Sequence, residues 1–180
     1  MRNWRFSFKK AQVSTKVTFC GLSIEATPDS RVLVTPSAQR MDELKALDPP
    51  ENIPDVRRVV GVFQTFNSHV AALSTRIPNL QRLAHKSVFT WNEDLEQEYR
   101  RAKEAIQKHL ILSPFNPAKP LEMYVDSSAL GFGLVLVQPD IGEAKHFIFT
   151  ASSVAKEVHG RYTSYELELT GLVWSLRKIK

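Results

Sequence analysis

The chain has 180 residues, 43% hydrophobic and 24% charged, a composition that fits an ordinary globular protein and excludes a disordered, fibrous or collagen-like one. Twenty-four basic residues against nineteen acidic ones leave a net charge of +5, which suits a polyanionic partner without requiring one. The single cysteine, Cys20, excludes an internal disulfide and reads as a small buried hydrophobe; with no signal-like start and no bilayer-length apolar run, an intracellular, non-secreted protein without a membrane partner is expected.

Trp4, Phe6 and Phe8 alternate with polar residues, as do Val17 and Phe19, and together they predict a strand pair. Asp29 and Ser30 turn the chain toward another short apolar run, Val32 to Val34. Thr35-Pro36 has the form of a helix N-cap followed by proline, and Met41, Leu44 and Leu47 supply one apolar stripe before Pro49-Pro50 stops the helix. A second helix is expected from about Asp55, with Val56, Val59, Val60, Phe63 and Val70 on one face and Gly61 read as a point of close packing. A shorter helical piece over 74–85 is broken by Pro78.

Asn92 caps the next helix, with Glu93, Asp94 and Glu96 in its first turns and Lys103, Lys108 and His109 toward its end, as the helix dipole favours. Leu95, Tyr99, Ala102, Ile106 and Leu110 form its buried stripe, and the basic residues on its other side are either a solvated face or a contact to nucleic acid. Pro114, Pro117 and Pro120 mark a linker, after which the apolar segments shorten into strands over 121–125, 132–137 and 146–151, and a last helix runs from about Ser164. The fold class is α+β, divided as 1–35, 36–113 and 114–180.

The five histidines lack metal-ligand spacing, and neither a phosphate-binding glycine loop nor a serine nucleophile elbow is present. The acids of the last segment are the candidates for chemistry. Asp126 follows an apolar strand and precedes two serines, which fits either an Asx-turn or a metal ligand. On the last helix, Tyr165, Leu169, Leu172, Val173 and Leu176 are expected to be buried, with Glu166 and Glu168 on the two flanks. Thr163-Ser164-Tyr165-Glu166 reads as a capping box, which occupies Glu166 and leaves Glu168 as either a metal ligand or an ordinary surface glutamate.

The run Val125-Asp126-Ser127-Ser128, then Gly131 to Leu136, then His146 to Ser153, then Tyr162 to Trp174 resembles the T-D-A-S, G-I-G-A-V-L, H-P-I-A-Y-A-S-R and Y-S-x-x-E-x-E-L-x-A-x-V-W elements of gypsy-type long-terminal-repeat retrotransposon Pol polyproteins. Upstream, Phe19 to Leu22 is similar to the family's F-L-G-H, Val56 to Val70 to its thumb helix, and Phe89-Thr90-Trp91 to its F-x-W. The resemblance implies a palm edge over 1–35, a helical thumb or connection region over 36–113, and the amino-terminal half of an RNase H-like domain over 114–180.

It further implies Asp126 and Glu168 as catalytic, Mg²⁺-binding residues, with two ions about 4 Å apart in the parent enzyme, an RNA–DNA hybrid as substrate, and a cytoplasmic particle or the nucleus as location. The departures are Asn67-Ser68 in place of paired arginines, Ser153 in place of the arginine of A-S-R, no Y-x-D-D motif, and no third or fourth acid before Lys180. Taken alone, the chain is therefore expected to be inactive without the flanking parts of Pol, or to be a non-catalytic nucleic-acid-binding or interaction domain.

Overall fold

The computed structural model describes residues 14–29, 31–139 and 145–179. The expected strand over Trp4 to Phe8 lies outside them. Three strands, β1 (Lys16–Phe19), β2 (Leu22–Ala26) and β3 (Val32–Pro36), form an antiparallel sheet in that order. Val17 and Phe19 thus pair with β2 across a tight turn in which Cys20 and Gly21 both take positive φ. Cys20 is exposed there, not buried as the sequence suggests.

Five helices follow: α1 (Ala38–Lys45), α2 (Ile53–Gln64), α3 (Leu73–Arg76), α4 (Pro78–Ala84) and α5 (Glu93–Gln107). The cap of α1 is Ser37, whose hydroxyl accepts from the Arg40 N–H, and not Thr35. Thr35 and Pro36 instead finish β3 opposite Ser23 and Leu22. Asn52 caps α2 with proline in its first turn, and Asn92 caps α5. The start of α4 lacks a cap from its own residues; Glu98 of α5 supplies one by accepting from the backbone N–H groups of Asn79 and Leu80.

The helices share one core. Leu44, Val56, Val59, Phe63, Phe66, Leu73, Ile77, Leu80, Ala102 and Ile106 are buried together, and Val70 joins them from the loop after α2, outside the helix. Tyr99 packs its ring near Phe63 and donates its hydroxyl to the Leu47 carbonyl, tying α5 to the end of α1. The side-chain nitrogen of Arg57 reaches the Ala84 carbonyl at 2.9 Å and ties α2 to α4.

The second sheet contains β4 (Glu122–Ser128), β5 (Gly131–Pro139) and β6 (Lys145–Val154), antiparallel in that order. Each strand is longer than its apolar run, because ladder bonds continue through Asp126, Ser127 and Ser128 on one side and Ser152 and Ser153 on the other. A single 3₁₀ turn leads to α6 (Ser164–Lys178), capped by Thr163. Leu112 joins the two sheets, bridging antiparallel to Val34 and parallel to Phe147.

A polar seam mounts this sheet on the helices. The Asn67 amide donates to the Ser152 carbonyl and accepts from the Ser152 hydroxyl, the Ser74 N–H donates to that hydroxyl at 2.7 Å, and the Thr150 hydroxyl donates to the Asn67 carbonyl at 2.8 Å. Ser74, Thr150 and Ser152 are buried, so each of these bonds replaces water at the contact.

Gly61 is not a packing contact: a methyl group there meets nothing within 4 Å, and the position is exposed in the middle of α2. Gly61→Ala should therefore stabilise the protein by about 0.5–1 kcal/mol through helix propensity alone, measurable as a higher denaturant midpoint at unchanged slope.

Candidate active site

Strand alternation separates the side chains of β4 onto two faces. Ser127 faces α6: a methyl group added to Gly171 would overlap the Ser127 hydroxyl and lie 3.1 Å from the Phe132 ring. Phe132, opposite Ser127 in the ladder, packs on Trp174 of α6 with ring centroids 6.0 Å apart. The α6 face of the sheet therefore carries Met123, Val125, Ser127, Phe132, Leu134 and Leu136.

Asp126 points to the other face, with its ladder partner Gly133. A methyl group on Gly133 would stand 3.8 Å from the Cβ of Asp126 and 3.8 Å from that of Ala72, so the aspartate and the loop before α3 flank one gap. The Asx-turn reading does not describe this residue. The turn after β4 is held by Ser128, whose hydroxyl accepts from the Leu130 N–H, while the exposed Asp126 carboxylate has no side-chain partner among the described residues.

On α6 the buried stripe is Leu167, Gly171 and Ser175, with Trp174 half-buried. This corrects the expected stripe: Tyr165 is 69% exposed, and Leu169, Leu172, Val173 and Leu176 are exposed as well. The small residues win the sheet-facing positions because they let the helix axis approach closely, and among the described residues nothing covers the large ones.

Glu166 closes the capping box, accepting from the Thr163 N–H at 2.8 Å while the Thr163 hydroxyl accepts from the Glu166 N–H. The Thr163 N–H and then the Thr163 hydroxyl, both bonded to the carboxylate, hold it below the usual glutamate range. Glu168 is exposed and carries no such bond. Helical spacing puts it on the flank of the buried stripe opposite Trp174. Since Trp174 leans on Phe132 of β5, Glu168 lies on the side of the outer edge of β4, which has no strand partner among the described residues.

Asp126 therefore sits on the edge strand, on the face turned away from α6, and Glu168 on the helix that covers the other face. Each offers hard carboxylate oxygens without a side-chain partner among the described residues, the donor chemistry that suits Mg²⁺. No cluster of three or more metal-binding side chains occurs among the described residues. The positions where the sequence departs from the expected arginines have other work: Asn67 anchors the seam, and the Ser68 hydroxyl lies 3.0 Å from Nδ1 of His69. Sequence reasoning missed the seam entirely, since polar residues at 67, 74 and 152 carry no periodic signal.

The chain belongs to the family of RNase H-like domains found in reverse transcriptase, which matches residues 91–180. It is 27% identical over 127 residues to the Pol polyprotein of feline endogenous virus ECE1, an alignment covering 69% of this chain and 12% of that protein. The chain thus spans about an eighth of the curated relative it matches. Its fold resembles that of the foamy viral protease-reverse transcriptase in complex with an RNA/DNA hybrid (TM-score 0.76, 20% identity, 94% of this chain and 22% of that one). The same viral enzyme in complex with double-stranded DNA gives a TM-score of 0.77 at 18% identity, over 94% of this chain and 34% of that chain.

The contact between α6 and β4 is testable. Gly171→Ala forces a methyl group into the Ser127 hydroxyl and should cost about 1–3 kcal/mol. Ser127→Ala removes a buried hydroxyl that has no hydrogen-bond partner, so the double substitution should recover most of that loss in a denaturant double-mutant cycle. Additive costs would show that the two residues do not share the space. A second measurement concerns Glu166. Its folded-state pKa is depressed, so its contribution is complete above the unfolded value and disappears as pH falls through the folded one. Acid fraying of α6, followed by amide exchange, should therefore lose this pH dependence in Glu166→Gln.

Proposed function

We propose that this chain is the part of a gypsy-type retrotransposon Pol polyprotein that links the end of the reverse transcriptase to its RNase H domain, and that Asp126 and Glu168 are the first two acids of a nuclease site acting on the RNA strand of an RNA–DNA hybrid. What supports this reading is that both acids are exposed and without a side-chain partner among the described residues, one on the edge strand and one on the helix packed against that strand. The subfamily rests on the T-D-A-S-like and Y-S-x-x-E-x-E-L-like runs at Val125 to Ser128 and Tyr162 to Leu169.

Asp126 and Glu168 would hold Mg²⁺. When bound, the metal lowers the pKa of an attacking water and neutralises charge on the leaving oxygen. The chain's own contribution is positional. The ladder to Gly133 fixes Asp126, the capping box fixes the first turn of α6 and with it Glu168, and the Gly171 contact sets the spacing between helix and strand. Two carboxylates alone hold Mg²⁺ poorly, so cleavage requires further acids from polypeptide that adds to the open edge of β4. The exposed apolar face of α6, from Tyr165 to Leu176, is the surface such a segment would cover. That face by itself also supports a non-catalytic interaction domain, and the two readings separate on one experiment.

Joined to its natural downstream reading frame, the protein should cut the RNA strand of a labelled hybrid in Mg²⁺. Asp126→Asn and Glu168→Gln should each lower the rate by about a hundredfold or more and weaken Mg²⁺ binding measured by calorimetry. Cutting that survives both substitutions would defeat the assignment. No cutting and no Mg²⁺ binding in the unsubstituted protein would favour the interaction domain.

A further inference from the structure

A cleft of about 410 Å³ opens between the loop after α2, α3 and the second half of α5. Arg76 contributes from α3, Arg101 and Lys108 from α5 and its end, and Glu104 is the one carboxylate in the lining. Arg76 and Lys108 have no side-chain partner among the described residues, and Arg101 bonds only to Gln97, one turn earlier on its own helix. Three exposed cations against one carboxylate leave the concavity net positive, which favours an anionic ligand.

His69 fixes one wall of the cleft. It lies in the cleft wall, is 1% exposed, and its Nε2 has no hydrogen-bond partner. Its backbone carbonyl accepts from the Leu110 N–H at 2.7 Å, which fastens the loop to the end of α5. Burial first, then the nearby charges of His109 and Arg40, push its pKa down to about 4, so the ring is neutral at physiological pH. When the Ser68 hydroxyl donates to Nδ1, the ring proton sits on Nε2.

The cleft also has a direction. Ala71 is in its wall, and the next residue, Ala72, shares with Asp126 the gap above Gly133. The loop that lines the cleft therefore runs on to the sheet face that carries the aspartate. We propose that this cleft seats a backbone phosphate of bound nucleic acid, held by Arg76, Arg101 and Lys108, and so positions the strand relative to the sheet that carries Asp126. The inference rests on the nucleic-acid reading above and adds to it the residues that grip the phosphate. Phosphate contacts of this kind set position and register rather than sequence preference.

The test is equilibrium binding of a fluorescently labelled RNA–DNA hybrid to the full chain across a salt series. Arg76→Gln/Arg101→Gln/Lys108→Gln should weaken binding about tenfold or more at low salt and flatten the salt dependence by about one unit of slope for each phosphate-binding cation removed. Lys16→Gln/Lys45→Gln/Arg58→Gln removes the same charge from other surfaces and should have a much smaller effect. Equal losses in the two triple variants would reduce the cleft to a share of the general basic charge and overturn the proposal.

Inorganic phosphate distinguishes the source of the anion. Stabilisation of the parent protein by phosphate, together with unchanged hybrid binding in the cleft variant, would mark a site for free phosphate and also overturn the proposal. Failure of the parent protein to bind hybrid at any salt would defeat the nucleic-acid reading itself, whereas normal binding by the cleft variant would defeat only this site.

Discussion

Strand β5 must be covered on both of its faces, and the rest of the arrangement follows from how that is done. Nearly all of its residues from Gly131 to Val137 are buried. On one face Phe132, Leu134 and Leu136 receive α6. On the other, Gly131 and Gly133 leave room for the loop before α3 and for α3 itself. A side chain at Gly131 would strike the Ser153 carbonyl and come within 2.7 Å of the Thr75 methyl. The strand alternates large residues toward a helix with glycines toward a loop, and this alternation decides that its neighbour Asp126 looks toward the helical part of the molecule while Ser127 looks toward α6.

The two contacts are chemically unlike. The α6 side is apolar, apart from the unpartnered Ser127 and Ser175 hydroxyls, and its stability scales with area removed from water. The α3 side is a hydrogen-bonded seam through Asn67, Ser74, Thr150 and Ser152. Such a seam adds little net free energy when complete but is costly when half-made, so it selects one relative placement of helices and sheet. Asn67 stands where the resembling family carries an arginine. The substitution exchanges a residue suited to phosphate for one suited to an internal join, and two cations without a side-chain partner among the described residues, Arg76 and Lys108, lie in the adjoining cleft.

Much of this was legible in the chain itself where a local rule acted alone. Asn92 with its acidic first turn, Pro78 as a break and Thr163 with Glu166 as a capping box all predict what is found, since caps and prolines act within a few residues. The failures share a cause: each needed a partner distant in sequence. Thr35-Pro36 looks like a cap until β2 is there to pair with it. The large apolar residues of α6 look like core until Gly171 is seen to need the close approach to Ser127. Gly61 looks like a contact until the space around it is found empty. The candidate acids were singled out by strand end, capping box and family resemblance together. That one belongs to an edge strand and the other to the helix covering its opposite face emerges only once Ser127, Phe132 and Trp174 fix which face α6 covers.

That edge has a further consequence for the chain handled alone. Among the described residues β4 has no partner on its outer side, next to a greasy helix surface, and two such rows of main-chain donors and acceptors from separate molecules can zip together. Glu122, tied to Lys145 and the Tyr124 hydroxyl, and the exposed Asp126 place charge along the row, with Met123 and Val125 between them. Concentrated preparations would therefore gather into dimers and larger species through the surface that, in a longer polypeptide, a neighbouring segment would occupy.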